Sequence, residues 1–284
     1  MPLPSMLSSS ALRRCFFLSL GLGAWFAPAR AAAIVTPTPN PAHLSESGLQ
    51  RALRDAFGQG PSFPYWNHIG CVNHSTGIYI GAGRVLTAAH VGIGTFVTRE
   101  GRSYLPVAGS ATRFRNRQGG QTDLFVYRIQ VKDADPLASL PMMSLSRGCP
   151  DRGATVVLLG AGGGNSGNRL AMNDFRWNED FRLRWGLNAV AAKFVRPIVT
   201  YEFATPGFAT HFANGKGESQ ACPGDSGGGV FAFNREAKRW ELTGVILAVD
   251  GKHGTASYGD QTYIGDLSVL PRKEFGSAGM LASH

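Results

Sequence analysis

The sequence predicts an all-β protein, and two observations carry that prediction. Short runs rich in β-branched and aromatic residues recur along the chain, fenced by Gly, Asn or Pro. Helical periodicity is nearly absent outside one segment near the N-terminus. The composition agrees: 37 glycines with only 17% charged residues suit strands joined by many turns better than long surface helices. At 284 residues the chain has room for one large domain or two small ones.

Residues 1–33 read as an export signal. Arg13-Arg14 gives a positive start, and Cys15 to Ala27 is an apolar run too short to span a bilayer. Small-residue cleavage sites follow at Ala29-Arg30-Ala31 and Ala31-Ala32-Ala33. Arg13-Arg14-Cys15-Phe16-Phe17-Leu18 also resembles a twin-arginine signal, so both export routes stay open. The expected destination is the periplasm or the exterior, with no membrane insertion once the signal is removed.

Residues 34–60 read as a linker and a short helix. Thr36-Pro37-Thr38-Pro39-Asn40-Pro41 is stiff and extended. Ser45 to Phe57 then has helical spacing through Leu49, Leu53 and Phe57, with Ser47 and Gln50 placed for a capping box. The helix is expected to pack on the domain. From residue 61 strands dominate: Gly77–Gly81, Arg84–Thr87, Leu124–Val131, Ala154–Leu159, Ile198–Phe203, Gly229–Phe233 and Trp240–Val249. Leu270–Phe275 and beyond is read as a closing helix.

The net charge is +9, or about +6 without Arg13, Arg14 and Arg30. The basic residues are scattered and no nucleic-acid module accompanies them, so a solvated basic surface is expected. Cys15 leaves with the leader. Cys71, Cys149 and Cys222 remain, which allows one disulfide of unassigned pairing. No C-x-x-C or H-E-x-x-H spacing supports a metal, and His68, His74, His211 and His253 have no ligand-like spacing. Neither a metal nor a cofactor is expected. Gly162 to Gly167 fits G-x-G-x-x-G, but no amphipathic helix follows, so it reads as a surface loop rather than a dinucleotide site. Asn73-His74-Ser75 spells a glycosylation acceptor.

Three segments carry chemistry. Ser226 stands in Cys222-Pro223-Gly224-Asp225-Ser226-Gly227-Gly228-Gly229, where glycines let the backbone pass close to a substrate. A serine hydroxyl is a weak nucleophile and needs a neighbouring base. The N–H groups of Gly224 and Ser226 can form an oxyanion hole. His90 ends Leu86-Thr87-Ala88-Ala89-His90, at the end of an apolar strand with small residues around it. Asp123 opens Leu124-Phe125-Val126-Tyr127 and can accept the Nδ1 proton of His90.

In this order, T-A-A-H, D-L-F-V and C-x-G-D-S-G-G resemble the chymotrypsin-like (trypsin-fold) serine proteases over roughly Gly70 to Phe275. Leu242-Thr243-Gly244-Val245-Ile246 looks like the family's cleft strand, and Thr262 to Leu267 looks like its last strand. The resemblance implies two packed antiparallel β-barrels with short N-terminal and C-terminal helices. Barrel one would cover about 61–145 and barrel two about 150–270 of a protease domain at 61–284. It implies a monomeric serine endopeptidase acting on peptides or proteins through His90, Asp123 and Ser226. The alternative is an inactive homologue that binds peptides or partners in the same cleft.

Where the sequence departs from the family is also informative. Val91 stands where a cysteine often follows the histidine, and Cys222 has no expected partner in the loop Asp250 to Gln261. The family's Ile-Val-Gly-Gly terminus, whose amine pairs with the aspartate before the serine, is missing. Cleavage after Ala33 would expose Ile34-Val35, followed by Thr36-Pro37. By resemblance the substrate pocket involves Gln220, Leu247 and Ala248. A neutral amide at Gln220 argues against a preference for Arg or Lys, unless Asp250 or Asp260 approaches.

Overall fold

The computed structural model describes residues 34–37, 40–58, 62–171, 174–178, 182–193, 196–213, 218–251 and 255–271. The expected leader and the helix beyond Leu270 lie outside these residues. Leu267–Val269 forms one 3-10 turn.

One α-helix, α1 (Glu46–Phe57), precedes the strands. Its N-cap is Ser45, whose side chain accepts from Gly48 N, so the capping register lies two residues earlier than the expected Ser47–Gln50 box. Gln50 is engaged elsewhere, in a two-way pair with the Phe63 backbone at 2.9 and 3.0 Å. As expected, the helix packs on the domain. Leu49 and Leu53 are buried, and Phe57 meets Trp240 edge-on at 5.6 Å. Each such leucine contributes roughly 2 kcal/mol by leaving water. The segment ahead of the helix is also docked: His43 stacks on Trp185 at 4.2 Å, and Trp185 Nε1 donates to Ala42 O and Ser45 O.

The first half of the chain supplies β1 (Ile69–Val72), β2 (Ser75–Gly81), β3 (Arg84–Ala88), β4 (Phe96–Thr98), β5 (Ser103–Tyr104), β6 (Thr112–Arg115) and β7 (Gln121–Arg128). They form one antiparallel sheet in the order β5-β4-β1-β2-β3-β7-β6, curled into a half-barrel. The second half supplies β8 (Thr155–Gly160), β9 (Gly164–Ala171), β10 (Asp174–Asn178), β11 (Arg184–Lys193), β12 (Ile198–Thr200), β13 (Phe203–Thr205), β14 (Gly207–His211), β15 (Gly229–Asn234), β16 (Arg239–Val249), β17 (Thr255–Ser257) and β18 (Gln261–Asp266). Six of these close a barrel in the order β11-β14-β18-β16-β15-β8. Closure removes the exposed edges that an open sheet would leave.

The two halves share a core. Ile78, Leu86, Leu124 and Val126 of the first sheet pack in one cluster with Val157, Leu159, Phe231, Leu242 and Val245 of the barrel. Two elements differ from expectation. Gly162–Gly167 does not form a loop: its end enters β9, which pairs with β10 in a small sheet with β17. No helix follows it among the described residues. Ile198–Phe203 is not one strand but a hairpin, β12–β13, turning at Tyr201-Glu202. No disulfide joins Cys71, Cys149 or Cys222. Among the described residues, no helix is long and apolar enough to cross a membrane.

Candidate active site

His90 lies two residues past β3, and Asp123 lies inside β7, the neighbouring strand. The Ala88↔Leu124 pairing at the end of that ladder brings the two side chains together. His90 Nδ1 and Asp123 Oδ2 are 2.7 Å apart, and the His90 backbone N–H donates to Asp123 Oδ1 at 2.9 Å. Asp123 is fully buried. A buried carboxylate must have its lone pairs satisfied. Here it has a third donor, Thr200 Oγ1 at 2.6 Å, from the tip of the β12–β13 hairpin. The same hairpin supplies Thr205 Oγ1, which accepts the Asp123 backbone N–H at 2.8 Å. Sequence reading missed Thr200 and Thr205, because neither stands in a motif.

Ser226 lies in the turn before β15, and that turn is fastened to the first sheet. Thr76 N donates to Ser226 O at 3.0 Å, and Thr76 Oγ1 donates to Gly224 O at 2.9 Å. Gly227, at φ +84°, lies so close that a Cβ would strike Thr76 O and Thr87 Oγ1. Thr87 is three residues before His90, so the serine turn and the histidine strand are in direct contact. Ser226 Oγ donates to Leu247 O at 3.5 Å, the far edge of hydrogen bonding. His90 and Ser226 share no hydrogen bond among the described residues. Gly224 takes φ +89°, in the left-handed region that favours glycine. The N–H groups of Gly224 and Ser226 donate to no protein acceptor among the described residues.

Asp225 is fully buried behind the serine. It accepts from Gly162 N at 2.9 Å, Cys222 N at 2.9 Å and Ile34 N at 3.2 Å. Burial pushes its carboxyl upward, and these hydrogen bonds pull the other way. Ile34 and Val35 are buried too, and Val35 pairs with Gln220 through backbone bonds of 2.7 and 2.8 Å. The segment read as a linker therefore begins inside the protein. The contact, raised from the sequence only as a consequence of cleavage after Ala33, joins residues 191 apart.

Of the predicted pocket residues, Gln220 lies against this segment. Gln220 is fully buried and both ends of its amide are engaged: Nε2 donates to Gln261 O at 3.0 Å, and Oε1 accepts from Thr262 Oγ1 at 3.1 Å. Leu247 is buried and Ala248 half-buried near the end of β16. The Asp250 carboxylate is engaged by Tyr263 OH and Gln261 N, and Asp260 accepts from Ser257 N. No metal-binding cluster of His, Cys, Asp and Glu occurs among the described residues.

No family model matches the chain, and no curated protein matches it in sequence. Solved structures match it in shape. The inactive form of Rv3671c from M. tuberculosis is similar over 88% of this chain and 99% of its own, at 13% identity and a TM-score of 0.50. The fold is the two-barrel trypsin fold. A mutant of human heparin binding protein covers 77% of this chain and 93% of its own, at 15% identity and a TM-score of 0.49. In the trypsin fold, the expected two-barrel architecture and its recognition from T-A-A-H and G-D-S-G-G are both realised.

Proposed function

We propose that the chain is an exported serine endopeptidase, working as a monomer without a cofactor. The observation that carries this reading is the His90–Asp123 pair. It is 2.7 Å apart and backed by a buried, fully bonded carboxylate, and it belongs to the same sheet as β2, to which the Ser226 turn is fastened through Thr76. In the proposed reaction, Ser226 Oγ attacks the scissile carbonyl and its proton passes to His90 Nε2. The Gly224 and Ser226 N–H groups receive the oxyanion. His90 then protonates the leaving amine and the C–N bond breaks, leaving an ester on Ser226. Water, deprotonated by His90, attacks that ester; the Ser226 Oγ–acyl bond breaks, His90 returns the proton to Oγ, and the acid leaves. Asp123 accepts the hydrogen bond from His90 Nδ1–H throughout and steadies the imidazolium.

Signal cleavage after Ala33 would make Ile34 the mature terminus. Its ammonium would then stand where Ile34 N already lies, 3.2 Å from Asp225 Oδ2. A buried carboxylate without a charged partner is costly, and an ammonium there would compensate it. Asp225 adjoins Gly224 and Ser226, so the pair would also hold the oxyanion donors in place. For the substrate, Leu247 and Ala248 offer an apolar wall and Gln220 has no amide end to spare. An uncharged residue before the scissile bond follows.

The test is labelling of the mature protein with a fluorophosphonate. The wild type should label, while Ser226→Ala should not label and should lose about 10⁴–10⁶ in turnover with its fold intact. A specific observation favours a second reading, an inactive peptide-binding homologue: Ser226 Oγ is turned to Leu247 O rather than to His90. Catalytic hydrogen bonds often tighten only with substrate bound. An unlabelled, folded wild type would establish the second reading.

A further inference from the structure

We propose that Asn73 is a positioning residue for His90, clamping the turn that carries the chain away from it. The proposal rests on the protease reading. Asn73 Nδ2 donates to Val91 O at 3.0 Å and to Ile93 O at 3.1 Å. A carboxamide has two N–H donors, and both are spent on this one turn. Gly94 presses against the same group, where a Cβ would collide with Asn73 Oδ1. Gly94 O in turn accepts from Tyr127 OH at 2.9 Å. The carbonyls of Val91, Ile93 and Gly94 are therefore all held.

The clamp is built into the fold. Val72 pairs with Ser75, so Asn73 and His74 form the two-residue turn between β1 and β2. Both take left-handed backbone angles, φ +48° and +59°. Asn tolerates that conformation better than most residues. The turn aims the carboxamide across at the His90 segment.

His90 is thus fixed from two sides. Asp123 holds its backbone N–H and its ring, and Asn73 holds the residues that follow. With Val91 rather than cysteine after His90, no disulfide can fasten this turn, and the hydrogen-bonded clamp occupies that place. The spelling Asn73-His74-Ser75 takes on a second meaning. A glycan would replace one of the two hydrogens and break one arm of the clamp.

Two variants separate the clamp from the turn. Asn73→Gly keeps the left-handed turn and removes both donors, and Asn73→Asp keeps the shape and removes both donors. The expected result for each is a kcat and fluorophosphonate labelling rate down roughly tenfold, with KM near wild type, because misplacing a catalytic group affects the chemical step. A wild-type kcat and labelling rate in Asn73→Gly would overturn the clamp. If the wild type itself fails to label, the protease reading fails separately. The clamp is then judged by NMR order parameters of residues 91–94, which should fall in Asn73→Gly; unchanged values would overturn it.

Discussion

Three donors converge on the Asp123 carboxylate, and Thr200 makes the shortest of these bonds at 2.6 Å. A hydrogen bond to a charged group contributes about 1.5–3 kcal/mol. Thr200→Val is therefore expected to lower kcat by roughly 10- to 100-fold. Thr200→Ser should recover most of that loss, because the hydroxyl rather than the methyl does the positioning. Steady-state kinetics of the two variants would check it, and equal activity in Thr200→Val would remove the role. The His90–Asp123 contact was legible in the sequence through the combined order of T-A-A-H, D-L-F-V and G-D-S-G-G. Thr200 was not, since its partner lies 77 residues away and nothing beside it marks it out.

At the scale of elements, the β12–β13 hairpin is where sequence reading and structure part most. Ile198–Phe203 reads as one β-rich run, and composition alone cannot place a turn inside it. The turn is made by Tyr201 at φ +51°, a left-handed angle that a bulky aromatic seldom adopts. Such angles cost on the order of 1–3 kcal/mol and cluster at functional sites. Tyr201 is 79% exposed, with its ring centroid 5.7 Å from that of His90. The expectation for Tyr201→Gly is a gain in stability of about 1 kcal/mol together with a higher KM for peptides. Urea unfolding and kinetics on one sample would reveal both, and a loss of stability would contradict the strain. Strand β9 teaches a related lesson. Its glycine-rich sequence has loop composition, yet pairing with β10 makes it a strand, because cross-strand partners decide β-structure more than intrinsic preference. The α1 cap shifted for a similar reason: Gln50, three residues after Ser47, was claimed by the Phe63 backbone.

At the scale of the whole molecule, the two halves meet through a shared apolar cluster and through Thr76, which touches the serine turn. The two-barrel plan was readable from short strands and three motifs. The burial of Ile34 and Val35 was not, because their cradle is assembled from Cys222, Asp225 and Gln220, far along the chain. We expect a chain beginning at Ile34 to label with a fluorophosphonate. A chain with extra residues ahead of Ile34 should label roughly 10²-fold more slowly, the scale of losing an oxyanion donor. Equal rates would show that the buried end has no part in catalysis. The same contact has a practical side. If that difference in rate is found, a purification tag placed ahead of Ile34 would act as an inhibitor, and an inert preparation would be mistaken for a dead enzyme. On the proposed reading it would also set the timing of activity: residues ahead of Ile34 would keep the enzyme silent, so the compartment where it is made would be spared until their removal switched it on.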